Sequence, residues 1–343
     1  MAKPITITVS GPQQHERSVR LSSPDRVVWP AHEGLAAITK ADLATYIEAV
    51  GPGLMNSLGD RPVTLQRFPT GIDGEEFYSK NPPRGVPEWA NTTSCTYPSG
   101  RVHAQLVIDE VATALWAVQM NTITFHPWPV RTGNNDNPDE IRIDLDPQPG
   151  RTFADVIDVA LALRAVMDSL GLAPMVKTTG NRGLHVHAGI EPRWEFLEVR
   201  HAVIGIAREL ERDMPRLVTT AWWKEERGDK IFVDFNQACR DRTLAAAYSP
   251  RPLPGAPVST PVSWEELPGL DPTAFTVHSV PARFAERGDV WASLHDEPAD
   301  LGPALNLWEA DLERGLGEMP FPPDYPKMPG EPRRVQPSRK RAD

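Results

Sequence analysis

Apolar and polar side chains alternate with period two in I-R-I-D-L-D at 141–146 and in I-F-V-D-F at 231–235, and strand side chains change face at every residue. Ile141, Ile143 and Leu145 therefore share one face, while Arg142, Asp144 and Asp146 share the other. In the second run Ile231, Val233 and Phe235 bury one face and Asp234 projects from the opposite one. The clearest helix lies between these runs. Thr152 caps it, Phe153, Val156, Ile157, Ala160, Leu163, Val166, Met167 and Leu170 recur at helical spacing, and Gly171 ends it. Thr39, Lys40 and Ala41 open another, A-D-L-A-T-Y-I-E-A-V, which ends at Gly51. Helical spacing also marks 104–120, 195–212 and 303–315. Strand patterns mark 61–68, 76–78, 123–130 and 175–188, the last folded by a glycine-containing turn. Pro147 and Pro149 stop sheet pairing after Asp146, and prolines impose an extended path from Arg251 to Pro261. Strands and helices mix without strict alternation, which predicts an α+β fold with a mostly antiparallel central sheet.

A chain of 343 residues affords a substantial core. Its net charge of −10 argues against a generic nucleic-acid coat, but the charge is uneven. Residues 327–343 hold six basic and two acidic side chains, net +4, leaving −14 on the remainder. A local basic groove on an acidic body is compatible with a polyanionic partner. The proline-rich tail has almost no apolar side chains to bury and is expected to stay disordered. Cys95 and Cys239 lie far apart without C-x-x-C spacing, so the expectation is a reduced, cytoplasmic chain without a thiolate zinc site. No run of about 18 apolar residues and no signal-like h-region occurs, so no membrane association is expected.

The Asp-x-Asp pair holds two carboxylates on one face, roughly 6.5 Å apart along the strand. It can grip hard divalent cations, which relieve the mutual repulsion, or it can simply cap a loop or form surface ion pairs. The segment K-T-T-G-N-R-G-L-H-V-H, residues 177–187, has two readings as well. Gly180 and Gly183 can bring backbone N–H groups to an anion beside Thr179, Lys177 and Arg182, or the segment is a hairpin turn with a buried histidine. It lacks the G-K-[ST] ending of a Walker loop. His185 and His187 share a strand face, but nothing supplies further ligands for zinc. Phe77 and Tyr78 are core aromatics or an exposed stacking pair.

D-x-D at 144–146, T-G-x-x-G-x-H at 179–185 and the lone Asp234 on an apolar strand, in that order, resemble the catalytic core of the archaeo-eukaryotic primase superfamily. The closer resemblance is to the polymerase domain of the bacterial end-joining ligase D and its stand-alone relatives. It runs from about Val19 to Leu294 and includes L-S-S-P-D-R-V-V-W-P near the start, F-Y-S-K-N at 77–81, T-F-H-P-W at 124–128 and A-Y-S-P-R at 247–251. The resemblance implies a primase-polymerase catalytic domain over residues 1–295 with helices flanking the sheet, a helical extension over 296–326 and a basic tail over 327–343. It implies Asp144, Asp146 and Asp234 as ligands of two Mn2+ or Mg2+ ions. His126, Thr179, Arg182, His185 and Arg251 would hold the incoming nucleotide, with Arg227 and Gln237 as further candidates. Phe77 and Tyr78 would stack on template bases, and Arg67 and Lys80 would lie near a downstream 5′-phosphate.

The activity implied is template-directed addition of NTP or dNTP, ribonucleotides by preference, at gaps or broken ends in DNA repair. Priming is a further option, and a separate DNA ligase or end-binding protein is the expected partner. Thr179 stands where relatives often carry serine and Arg182 where they carry lysine, which predicts retained activity with altered nucleotide affinity, and Leu253 stands where they carry a second arginine, which predicts weaker triphosphate binding. The short segment between His126 and Asp144 argues against end bridging through that loop. Two other readings stay open: a metal-dependent phosphodiesterase, since paired carboxylates serve hydrolysis equally, and a DNA-end binding module without catalysis.

Overall fold

The computed structural model describes residues 2–11 and 15–320. Strands β1 (Ile5–Ser10), β2 (Glu16–Leu21), β3 (Val27–Trp29) and β4 (Ile38–Thr39) lead into helices α1 (Lys40–Ala49) and α2 (Gly51–Leu58). Then follow β5 (Pro62–Arg67), β6 (Phe77–Ser79), β7 (Thr92–Thr96), β8 (Val102–Val107), α3 (Val111–Gln119), β9 (Thr122–Pro127) and β10 (Glu140–Pro147). The middle of the chain supplies α4 (Phe153–Ser169), β11 (Met175–Thr178), β12 (Leu184–Gly189), α5 (Phe196–Asp213), β13 (Val218–Thr219) and β14 (Ile231–Asp234). Short strands β15 (Ser249–Pro250), β16 (Val258–Ser259) and β17 (Pro261–Val262) precede α6 (Val280–Arg287) and α7 (Gly302–Glu313).

The predicted α+β class holds. Six strands form the main sheet in the order β13-β14-β10-β12-β11-β17, antiparallel throughout except for the parallel pair β13 and β14. A second antiparallel sheet joins β5 to β6, β8 and β9, with β7 beyond β8. On β10 the odd residues Ile141, Ile143 and Leu145 pair in register with Ala188, Val186 and Leu184 of β12, and this fully buried face packs against α4 and α5. The even residues face the other way, toward β9, where Arg142 donates to the carbonyls of Pro127 and Trp128. Period two along one strand thus separates the core from the cleft.

Three local expectations need correction. Gly51 does not close the first helix's path; it opens α2, with Pro52 in the first turn, where proline's missing N–H has no helical partner to lose. Residues 104–107 are strand, because Thr92–Thr96 supplies a pairing edge for V-H-A-Q-L-V, and the helix begins only at Val111. Pro147 still pairs, opposite Ile231, as the last residue of β10, and a strand end needs no further donor. The C-terminal helix appears as expected. Leu301, Ala304 and Trp308 join the main core, and α7 crosses α5 at Gly205, where an added Cβ would stand 3.1 Å from the Ala304 carbonyl. The tail over 327–343 lies outside the described residues.

Helix α4 is positioned by a capping box: the Thr152 hydroxyl accepts from the Asp155 N–H at 3.2 Å, and the Asp155 carboxylate accepts from the Thr152 N–H at 2.8 Å. Thr152→Ala is expected to lower stability by about 1 kcal/mol, read as a lower urea midpoint with an unchanged slope. An unchanged midpoint would show that the box contributes nothing here.

Candidate active site

Four neighbouring strands place one residue each at the same level of the main sheet. Asp234 on β14 is the register partner of Asp144 on β10, Asp144 of His185 on β12, and His185 of Lys177 on β11. Register partners project to the same side, so the row Asp234, Asp144, His185, Lys177 crosses the cleft face of the sheet. Asp146 adds a third carboxylate one step along β10. The convergence expected of the three aspartates is therefore a consequence of strand order.

The charges around this row are unbalanced. Arg142, the one basic residue on that face of β10, is engaged with Glu140 and two carbonyls. Arg227 approaches Asp146 only to 3.7 Å. Burial, then the charges of Asp234 and Asp146, push the Asp144 carboxyl up to about 8. Burial also raises Asp234. Asp144 keeps 23 % of its side chain open to the cleft, where a cation can reach it. Among the described residues no three or more His, Cys, Asp or Glu side chains close into a ready-made cage. The donors are nevertheless hard oxygens with uncompensated negative charge, which suits an oxygen-preferring divalent ion.

A cavity of about 220 Å³ opens above the row, lined by His126, Asp144, Asp146, Thr179, Arg182, His185 and Arg251 among others. The structure thus gathers five of the seven residues expected to hold a nucleotide. Arg182 is exposed, and a neighbouring cavity of about 530 Å³ shares it and Asn181. Arg251 donates to the Thr179 carbonyl at 3.1 Å, while its buried Nε has no partner among the described residues. Gly180 makes room for it: φ is +69°, and a Cβ there would stand 2.6 Å from the Arg251 Cγ. Gly183 lies so close to β10 that a Cβ would meet the Leu145 carbonyl at 2.4 Å.

Two backbone N–H groups of this loop are used within the turn itself. Those of Asn181 and Gly183 donate to the Thr179 hydroxyl oxygen, at 3.1 and 3.2 Å. The hydroxyl proton remains available to donate outward. Lys177 is not a loop cation. Fully buried, it donates to His185 Nδ1 and to the Ser259 hydroxyl, both at 2.6 Å, which leaves His185 an Nε2–H that lies 3.4 Å from Asp144. Burial holds both His185 and Lys177 well below their ordinary values. A separate cavity of about 480 Å³ at the start of α5 contains none of these groups.

Arg227 and Gln237 lie outside the cavity lining. Arg227 stacks 3.6 Å over Phe232 and donates to the carbonyls of Ala221 and Trp222, and Gln237 donates to Asp234 at 2.7 Å. Gln237 thus braces a carboxylate, whereas the hydrogen bonds of Arg227 go to backbone carbonyls. Phe77 and Tyr78 are 38 % and 53 % exposed, so neither is a core aromatic. Arg67 sits over the Phe77 ring at 4.8 Å. Lys80 is taken up by Asp241 at 2.6 Å and is not a free cation.

The sequence reading missed a cationic cluster. Lys40 donates to the Ser22 carbonyl and to both oxygens of Gln119, Arg26 to Pro69 and Asn121, and Arg67 to the Met120 carbonyl. Three cations meet the C-terminal end of α3, where the helix dipole favours them. Burial, then Arg26, pulls Lys40 down to about 8. The motif L-S-S-P-D-R-V and the Thr39-Lys40 helix start contained the signal, but only as local structure.

Facing carboxylates beneath a basic, hydroxyl-bearing loop, on an antiparallel sheet backed by helices, define the primase-like class of nucleotidyltransferase. Residues 39–291 match the family model described as LigD, primase-polymerase domain, and the chain belongs to that family, one of DNA-repair nucleotidyltransferases. It is 34 % identical over 80 % of its length to the multifunctional non-homologous end joining protein LigD of Pseudomonas aeruginosa, and 30 % over 92 % to that of Mycolicibacterium smegmatis. It covers 32 % and 41 % of those proteins. A polymerase domain from Mycobacterium tuberculosis ligase D, solved in complex with DNA, superimposes with a TM-score of 0.75 at 28 % identity, covering 82 % of this chain and 99 % of that one. Among the described residues no helix is long and apolar enough to cross a membrane.

Proposed function

We propose that this protein is a template-directed polymerase that adds nucleotides, ribonucleotides by preference, at gaps or broken DNA ends in end-joining repair in the cytoplasm. The observation that carries this reading is the row Asp234, Asp144, His185 below a cavity walled by Thr179, Arg182 and Arg251. Asp144, Asp146 and Asp234 would hold two Mn2+ or Mg2+ ions. Such a pair supplies charge neutralisation for the attacking 3′-hydroxyl and the departing pyrophosphate.

The chain's own groups do the positioning. Arg251 and Arg182 offer N–H donors to the triphosphate, Thr179 adds its free hydroxyl proton, and the neutral His185 presents Nε2–H from the row itself. His126, on the same wall, would meet the sugar. Tyr78 lies 5.7 Å from the His126 ring, so template bases stacked on Phe77 and Tyr78 would sit beside the incoming nucleotide. Arg67, with Arg26 and Lys40 behind it, puts positive charge next to that platform and suits a downstream 5′-phosphate better than the paired Lys80. We assign catalysis to residues 1–295, with 296–326 as a helical extension. Ligation would fall to a DNA ligase module or partner, with an end-binding protein as a further contact.

The test is extension across a one-nucleotide gap carrying a downstream 5′-phosphate, with NTP and Mn2+. A longer primer and released pyrophosphate are expected, both lost in EDTA. Shortened DNA would point to a phosphodiesterase, and bound but unaltered DNA to an end-binding module.

A further inference from the structure

His126 stands on β9 and Gln66 on the adjacent strand β5, both projecting into the cleft. Gln66 is 5 % exposed, and its side chain spans two partners: Nε2 donates to Glu76 at 2.7 Å, and Oε1 lies 3.2 Å from His126 Nε2. Which end of the amide faces which partner follows from chemistry. The Glu76 carboxylate receives the Gln66 NH2, so His126 meets the amide oxygen. An amide oxygen only accepts in turn, so the ring must donate from Nε2. Burial, reinforced by Arg251, Lys177 and Arg142, lowers His126 to about 3, so the imidazole is neutral. Nδ1 then carries a lone pair. Among the described residues it has no protein partner, and it is absent from the sealed, unpaired atoms of the interior, so it opens on the cavity that His126 lines.

We propose that Gln66, clamped by Glu76, is a positioning residue that locks His126 as the Nε2–H tautomer, so that Nδ1 accepts a hydrogen bond from the sugar hydroxyl that marks a ribonucleotide. The cationic side of the cavity offers donors, from Arg182, Arg251, the Thr179 hydroxyl and the His185 Nε2–H. A lone pair beside those donors repels phosphate oxygens and attracts a hydroxyl, which helps sort the two ends of a nucleotide. Burial, then the neighbouring Glu76 carboxylate, raises the Tyr78 phenol to about 12, so the same carboxylate bears on both the sugar-reading histidine, through Gln66, and the exposed aromatic platform.

This inference rests on the ribonucleotide reading above, and the test separates the two. Histidine-selective 15N labelling is expected to show Nε2 protonated and Nδ1 bare in His126 of the wild type. Gln66→Met, similar in volume but unable to accept, is expected to lower the NTP-to-dNTP efficiency ratio about tenfold, the size of one lost hydrogen bond, with the loss falling on NTP. Glu76→Gln, at an exposed position that does not threaten folding, frees the Gln66 amide to turn over and is expected to shift the ratio in the same direction by less. A wild-type His126 protonated at Nδ1 overturns the proposal. A ratio that falls in His126→Ala but in neither Gln66→Met nor Glu76→Gln removes the role of Gln66 and leaves the sugar contact standing. A ratio unchanged in His126→Ala removes the sugar contact itself, and the proposal with it.

Discussion

Asp144→Asn is expected to reduce nucleotide addition on the order of 10³-fold while making the metal-free protein more stable at pH 8. The loss follows from removing one of the facing carboxylates: bound cations contribute several kcal/mol of transition-state charge stabilisation, and each 1.4 kcal/mol is about tenfold. The gain follows from the same carboxylate's environment. Asp144 is raised to about 8 by burial and by Asp234 and Asp146, against about 4 in an unfolded chain. Between those values the folded state keeps a proton that the unfolded state releases. Wild-type stability without metal therefore falls as pH rises from about 4 to about 8. Asparagine has no proton to lose. In EDTA the variant's melting temperature should exceed that of the wild type at pH 8, the gap closing toward pH 4, and Mn2+ should stabilise the wild type but not the variant. A variant that retains activity, or a wild type indifferent to Mn2+ at pH 8, would contradict the assignment of the aspartate trio. Asp234→Ala should abolish activity similarly.

Arg251→Ala should raise KM for the nucleotide roughly 10–100-fold, since hydrogen bonds to charged groups are worth about 1.5–3 kcal/mol each. Its backbone is pinned: the amide donates to the Pro257 carbonyl at 2.8 Å, and its own carbonyl accepts from the Trp29 indole at 3.2 Å. The guanidinium spends one N–H on the Thr179 carbonyl and leaves a buried Nε without a partner among the described residues, an arrangement that favours an incoming anion. Arg251→Lys should recover only part of the affinity, because an ammonium cannot reproduce the planar fork. Steady-state kinetics on the gapped substrate reads this directly. An unchanged KM with reduced kcat would move Arg251 from holding the triphosphate to acting on the transition state.

Much of the cleft was legible in one dimension because it depends on local rules. Period two put Asp144 and Asp146 on the face opposite Ile143 and Leu145, the Thr152 cap announced α4, and a hydroxyl followed by two glycines announced the tight loop that carries Arg182. Strand 104–107 was misread as helix because its pairing edge, Thr92–Thr96, is a non-local partner. The same limit hid the true roles of several polar residues. Lys80 has a carboxylate waiting at Asp241, 161 positions away, and Lys177 turns inward because His185 and Ser259 accept from it on either side. Gln237 braces Asp234, and Gln66 escaped notice because a lone glutamine on a strand has no signature until its neighbours are known.

The amino-acid order alone determined which residues share a face, where helices start, and which side chains can bind cations or anions, since these depend on backbone geometry over a few positions. Only the folded arrangement decided that β14 lies beside β10, so that Asp234 stands opposite Asp144, and which basic groups stay open to a ligand instead of being consumed in ion pairs. Strand neighbours and charge partners are chosen by packing between distant segments, and no periodicity within either segment encodes that choice.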